Sequence, residues 1–188
     1  MLGSMFSSSS QAALAIGRAM TAAPLPPHAI FAIDGRTGAG KTSFARELTA
    51  RLAPASLCTI EVESFIEGWS GLADGVAELA QGPLRQFREQ GACELRAWDW
   101  HVGRWAETVR VPTCGTCAMM LVVGCGSSSA PIAPLLDGSV WIEVPAGLRR
   151  QRVNAREGSP DAWWDMWEAQ HTALLAQRDS AREATWSL

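Results

Sequence analysis

The run Gly35-Arg36-Thr37-Gly38-Ala39-Gly40-Lys41-Thr42 limits what this chain can fold into more than any other feature. Before it, Ala29-Ile30-Phe31-Ala32-Ile33-Asp34 is apolar almost throughout, the pattern of a strand covered on both faces. After it, Phe44, Leu48 and Leu52 recur at intervals of four and mark one apolar stripe on a helix over 42–52. Strand, glycine loop and helix form the setting in which G-x-x-x-x-G-K-[ST] holds phosphates. The glycines allow a tight turn that directs successive amides inward, and the helix N-terminus adds partial positive charge. Gly35, Gly38, Ala39, Gly40, Lys41, Thr42 and Ser43 are therefore expected around the phosphates of a nucleoside triphosphate, with ATP and Mg2+ the expected pair. Lys41 would reach the β- and γ-phosphates and Thr42 would ligate magnesium. Ser43 either joins them or only supports the helix start. Arg36, at a variable position, is expected to be solvated.

Three more strands are expected at 57–63, 119–123 and 140–144, and helices at 11–20, 146–157 and 161–182. In the last helix Trp164, Trp167, His171 and Leu174 share one stripe. Strands alternating with helices predict an α/β fold, a three-layer parallel sheet of about five strands flanked by helices. Residues 1–27 read as an N-terminal leader, partly disordered or loosely packed, because Pro24, Pro26 and Pro27 block continuation of its short helix. Residues 28–188 read as one domain, with a substrate-covering insertion near 66–113 and a lid-like helix near 146–158.

A length of 188 residues suits a single domain, and a net charge of -3 argues against nucleic acid as a partner. No apolar run approaches the roughly 20 residues that cross a bilayer, and no basic segment introduces a signal core, so no membrane partner and a cytoplasmic location are expected. The five cysteines are scattered and expected to be reduced thiols; the lone Cys114-x-x-Cys117 lacks the second pair that a structural zinc site needs.

In an open α/β sheet ligands bind beyond the carboxyl ends of the strands, which draws attention to Asp34, Glu63-Ser64-Phe65 and Gly124-Cys125-Gly126-Ser127. The segments IFAIDGRTGAGKTSFARELTARL, VESFIEGWSGL, RAWDW, LVVGCGSSS and WIEVPAGLRRQRVNAREG, in this order, resemble the uridine kinase-like branch of P-loop kinases over roughly residues 29–188. The resemblance implies an ATP-dependent kinase acting on a hydroxyl of a small molecule. It makes Glu63, at the position of the family's acidic residue after the second strand, the first choice for general base. Asp34 remains open as an alternative base, as an aid to magnesium-bound water, or as a brace for the loop. Arg149, Arg152 and Arg156 fall on one helix face, at the spacing of the family's lid arginines, and would cover the triphosphate; an exposed basic face is the other reading. Trp98 and Asp99 resemble the acceptor-binding segment, against a reading as core tryptophan and turn residue.

The chain departs from the family's pattern where Val122-Val123-Gly124 offers no carboxylate before glycine. Ile66 stands where a tyrosine is usual, and the usual last strand is expected to be truncated near Trp186. A nucleotide-responsive binding protein with little transfer is therefore the alternative function. Sequence leaves the acceptor and the oligomeric state open, a homodimer included.

Overall fold

The computed structural model describes residues 9–52 and 57–188; residues 1–8 of the expected leader lie outside these. In chain order the first half comprises α1 (Ser9–Met20), β1 (Ala29–Asp34), α2 (Lys41–Thr49), β2 (Leu57–Glu61), α3 (Leu72–Gln81) and α4 (Pro83–Gln90). Four short strands follow: β3 (Cys93–Leu95), β4 (Trp98–Asp99), β5 (Arg104–Trp105) and β6 (Val109–Val111). The rest is β7 (Met119–Val123), β8 (Gly138–Trp141), α5 (Ala146–Glu157), α6 (Trp164–Gln177), α7 (Ser180–Glu183) and β9 (Trp186–Ser187).

Five strands form one parallel sheet in the order β2-β7-β1-β8-β9. Every residue of β1 and β7 is buried, as their apolar runs require of strands covered on both faces. Alternate residues serve opposite cores. Ile30, Met120, Val122 and Ile60 meet α3, α4 and α6 through Leu79, Phe87 and Leu174. Phe31, Ile33, Leu121 and Val123 meet α1 and α2 through Ile16, Phe44 and Leu48. The fold is thus the expected three-layer α/β arrangement.

Several boundaries differ for local reasons. β2 stops at Glu61 because Val62–Phe65 coils into a 3-10 turn. β8 ends at Trp141, and Pro145 starts the next helix instead of extending the strand. The helix expected over 161–182 breaks at Arg178, whose extended backbone separates α6 from α7. β9 is formed but only over two residues, with Trp186 paired with Val140 and Ser187 with Trp141. Nor is α1 loosely packed: Ala12, Ala13, Ile16 and Met20 are buried against the α2 face. Burial of Ile16 and Met20 stabilises by about 1.5–3 kcal/mol each. The segment 66–113 contributes α3, α4 and two antiparallel ribbons, β3 with β6 and β4 with β5. A Cys58–Cys117 disulfide joins β2 to the segment entering β7, in place of the reduced thiols expected, and removes Cys117 from any pairing with the exposed Cys114.

Candidate active site

The glycine loop links β1 to α2. Gly38 has φ +80°, and a side chain there would start 2.5 Å from the Arg149 carbonyl oxygen, so both conformation and the close approach of α5 demand glycine. No side chain caps α2 at Gly40. The first amides of α2 have no partners within the helix. With Gly38, Gly40, Thr42 and Ser43 lining the adjoining cleft of about 670 Å³, these donors suit a polyphosphate. Lys41 is buried and its Nζ donates to the Gly35 carbonyl at 2.8 Å, the Arg36 carbonyl at 3.3 Å and Cys125 Sγ at 3.2 Å. Burial opposes its charge, but Cys125, Glu63 and Asp34 outweigh burial and raise its pKa. The loop, the uncapped helix and this cation fit a magnesium-bound triphosphate, with Thr42, exposed at the cleft, as the hydroxyl for the metal.

Asp34 is fully buried and its carboxylate is already committed. It accepts from the Gly35 amide at 2.7 Å, the Gly126 amide at 3.0 Å, and the amide and hydroxyl of Ser128, both at 2.8 Å. Those bonds fasten the end of β1 to the turn after β7 and leave the loop-bracing reading of Asp34. His171 lies beside it, Nε2 3.7 Å from Asp34 Oδ1, completely buried and with neither ring nitrogen hydrogen-bonded. Burial disfavours the imidazolium, yet Cys125 and Asp34 raise the His171 pKa overall. Cys125 is in turn buried, which disfavours the thiolate, but Lys41 and His171 bring its pKa down to about 7. Sequence reasoning named Cys125 only within a strand-end segment and read His171 as one of a helical stripe; only the fold brings them to Lys41.

Glu63 sits in the 3-10 turn after β2, half-buried, on the cleft wall with Lys41. Burial raises its carboxyl pKa, with Lys41 acting in the opposite direction. Its backbone carbonyl accepts from Trp100 Nε1 at 3.0 Å. A side chain on Gly124 would begin 2.6 Å from Glu63 Oε2. The Glu63 carboxylate thus occupies space beside the position where the sequence lacks its acid.

Of the four arginines of α5, the three on the expected face, Arg149, Arg152 and Arg156, do different things. Arg149 is buried, donates to the Thr37 carbonyl at 2.9 Å and forms a two-pronged pair with Glu168 of α6 at 2.9 and 3.0 Å. Its charge is spent on the loop backbone and α6, and it does not line the cleft. Arg36, expected in solvent, joins the same carboxylate at 3.2 Å. Arg152 and Arg156 do line the cleft, Arg152 lying 3.3 Å from the Ala39 carbonyl and Arg156 pairing with Glu157 at 2.5 Å.

The cleft also has an aromatic wall of Trp69, Trp100, Trp163 and Trp167, with Trp69 and Trp163 stacked at 4.3 Å. Trp167 Nε1 is buried without a hydrogen-bond partner. Trp98 and Asp99 are absent from this lining. Asp99 caps its own turn, accepting from the His101 and Val102 amides at 2.9 and 3.1 Å, and Trp98 packs edge-on against Trp105. Of this segment, Trp100 and His101 line the cleft, beside tryptophans distant in sequence.

A parallel sheet ordered around β1, with a glycine loop delivering lysine to its carboxyl edge, defines the P-loop kinase fold. A structure described as a possible uridine kinase from Bacillus stearothermophilus is similar at TM-score 0.70 and 18% identity, over 95% of this chain and 98% of that one. A protein described as a proposed fructose transport system kinase from Silicibacter sp. TM1040 matches at TM-score 0.65 and 16% identity, over 97% and 100% of the two chains. These likenesses establish the fold. No protein-family model and no curated protein sequence matches the chain.

Proposed function

We propose that this protein is an ATP-dependent kinase that transfers the γ-phosphoryl group to a hydroxyl of a small molecule. The observation that carries the reading is a single cleft that joins two unlike linings: phosphate donors, cations and Glu63, together with four tryptophans. The amides of the glycine loop and of the α2 N-terminus hold the triphosphate, and Lys41 leaves its carbonyl and sulfur partners to meet the transferring group. Arg152 and Arg156 stabilise charge on the phosphoryl oxygens. Glu63 accepts or directs the acceptor's proton, while the tryptophan wall excludes water and orients the acceptor. Magnesium, held through Thr42, would supply charge neutralisation between the phosphates. Arg149 and Asp34 hold the loop in shape without touching the reactants.

The cytoplasm suits an ATP-consuming enzyme, and there the Cys58–Cys117 bond would face a reducing pool. The commitment of Asp34 to four hydrogen bonds favours the second reading, a nucleotide-responsive module, because among the described residues the cleft then keeps only Glu63 and the Arg156-paired Glu157 as carboxylates. The deciding experiment measures ADP release from MgATP with a pool of hydroxyl-bearing metabolites. Release that needs one acceptor and falls about 100-fold or more in Lys41→Ala supports the kinase. Calorimetric ATP binding without acceptor-dependent release supports the module.

A further inference from the structure

Cys125 has no part in that scheme, yet its sulfur touches the residue on which the scheme depends. Lys41 Nζ stands 3.2 Å from Cys125 Sγ, and Thr37 Oγ1 lies at the same distance on another side. Thr37 and Lys41 both line the cleft, so the buried sulfur lies one side chain below its floor. Against it, in the interior, is the completely buried His171, whose charged form Cys125 and Asp34 favour and whose ring nitrogens have no oxygen or nitrogen within hydrogen-bond distance. A buried imidazole held only by a sulfur and a carboxylate 3.7 Å away gains from a closer oxygen acceptor. An oxygen atom on the Cys125 sulfur is such a group, and it would add a negative acceptor for the Lys41 ammonium.

We propose that Cys125 is a reversible oxidation site for peroxides, whose sulfenate product binds Lys41 and His171 and withholds Lys41 from the triphosphate. The thiolate sulfur attacks one peroxide oxygen, forming the S–O bond as the O–O bond breaks. The departing hydroxide takes the proton of the transferred oxygen and leaves as water. Sulfur loses the two electrons that peroxide gains, so thiolate plus hydrogen peroxide gives sulfenate plus water. Thiols reverse the change. Lys41 and His171 favour the thiolate this step needs, whereas burial pushes the Cys93 thiol up to about 11 and keeps it inert. Bound triphosphate competes for the same ammonium and covers the cleft, so it protects the sulfur.

The inference rests on the reading of Lys41 as a triphosphate ligand, and the test separates the two. The full chain is treated with hydrogen peroxide with and without MgATP, trapped with dimedone after denaturation, and each cysteine-bearing peptide is weighed. ATP affinity is measured by calorimetry before treatment, after it, and after thiol reduction. The expected result is dimedone on Cys125 only in the nucleotide-free sample, with ATP affinity weakened on the order of tenfold or more and restored by thiol. Cys125→Ser should keep its own starting affinity through the treatment. The proposal is overturned by an unmodified Cys125 in a sample where the exposed Cys114 reacts, by modification that leaves affinity unchanged, or by equal loss in Cys125→Ser. Reduced protein that never binds ATP would instead sink the function reading, while the mass of the Cys125 peptide still decides whether the sulfur oxidises.

Discussion

Glu63 and position 124 compete for one small volume, and the outcome fixes where the cleft keeps its carboxylate. Gly124 has φ +147°, and a methyl group there would press on Glu63 and Val62. Gly124→Ala should therefore lower stability by about 1–3 kcal/mol in urea unfolding, through backbone strain and displacement of the carboxylate. As a base Glu63 must be ionised, and burial raises its pKa, so kcat/KM should fall as pH drops through a value above the usual carboxylate range. In Glu63→Gln that acid limb should vanish and kcat/KM should fall about 100-fold, with ATP affinity within about twofold of the parent; an unchanged pH profile would remove Glu63 from the role. That Lys41 and Thr42 lie at the cleft was legible because their motif is contiguous, and Glu63 because the resemblance pointed to the segment after a strand. Cys125, His171 and Trp69 were not, since they come from three separate segments that only the sheet order brings together. Residue type alone could not decide whether Asp34 reacts or braces, because a buried carboxylate beside amides suits either.

Arg149, Glu168 and Arg36 tie three elements at one point: α5, α6 and the glycine loop. Glu168→Gln would leave the buried Arg149 charge without its counterion, at a cost of about 3 kcal/mol. Chemical unfolding should show that loss, and calorimetry should show weaker ATP binding because the Thr37 carbonyl is no longer held. Glu168→Asp should recover part of both; intact affinity in a destabilised Glu168→Gln would restrict the clamp to stability. The spacing of Arg149, Arg152 and Arg156 showed that they share a helix face but not what that face meets. One turn of α5 separates a buried brace from a residue at the cleft. Element type was legible where an apolar run was unbroken, as in β1 and β7, or where an apolar stripe repeated, as in α2. Ends were less so, since the coil after β2 and the break at Arg178 depend on contacts made from outside those segments.

Across the molecule, Cys58 and Cys117 staple the edge strand β2 to the entrance of β7 over a sequence separation of 59. Closing a loop of that size should stabilise by about 4 kcal/mol, so thiol reductant should lower the urea midpoint while parallel pairing of β2 with β7 persists. An unchanged midpoint, with both thiols free by mass, would show that the sheet holds that edge without the bond. The sheet order also bears on synthesis at the ribosome. β1 emerges early, but its two neighbours, β7 and β8, lie beyond residue 118, after the whole of α3, α4 and both ribbons. While that stretch is being translated, Ile30, Phe31 and Ile33 belong to an apolar strand with no partner on either edge, the condition that slows folding and invites association between chains. How this nascent strand is shielded therefore governs the yield of folded protein separately from the stability of the finished fold.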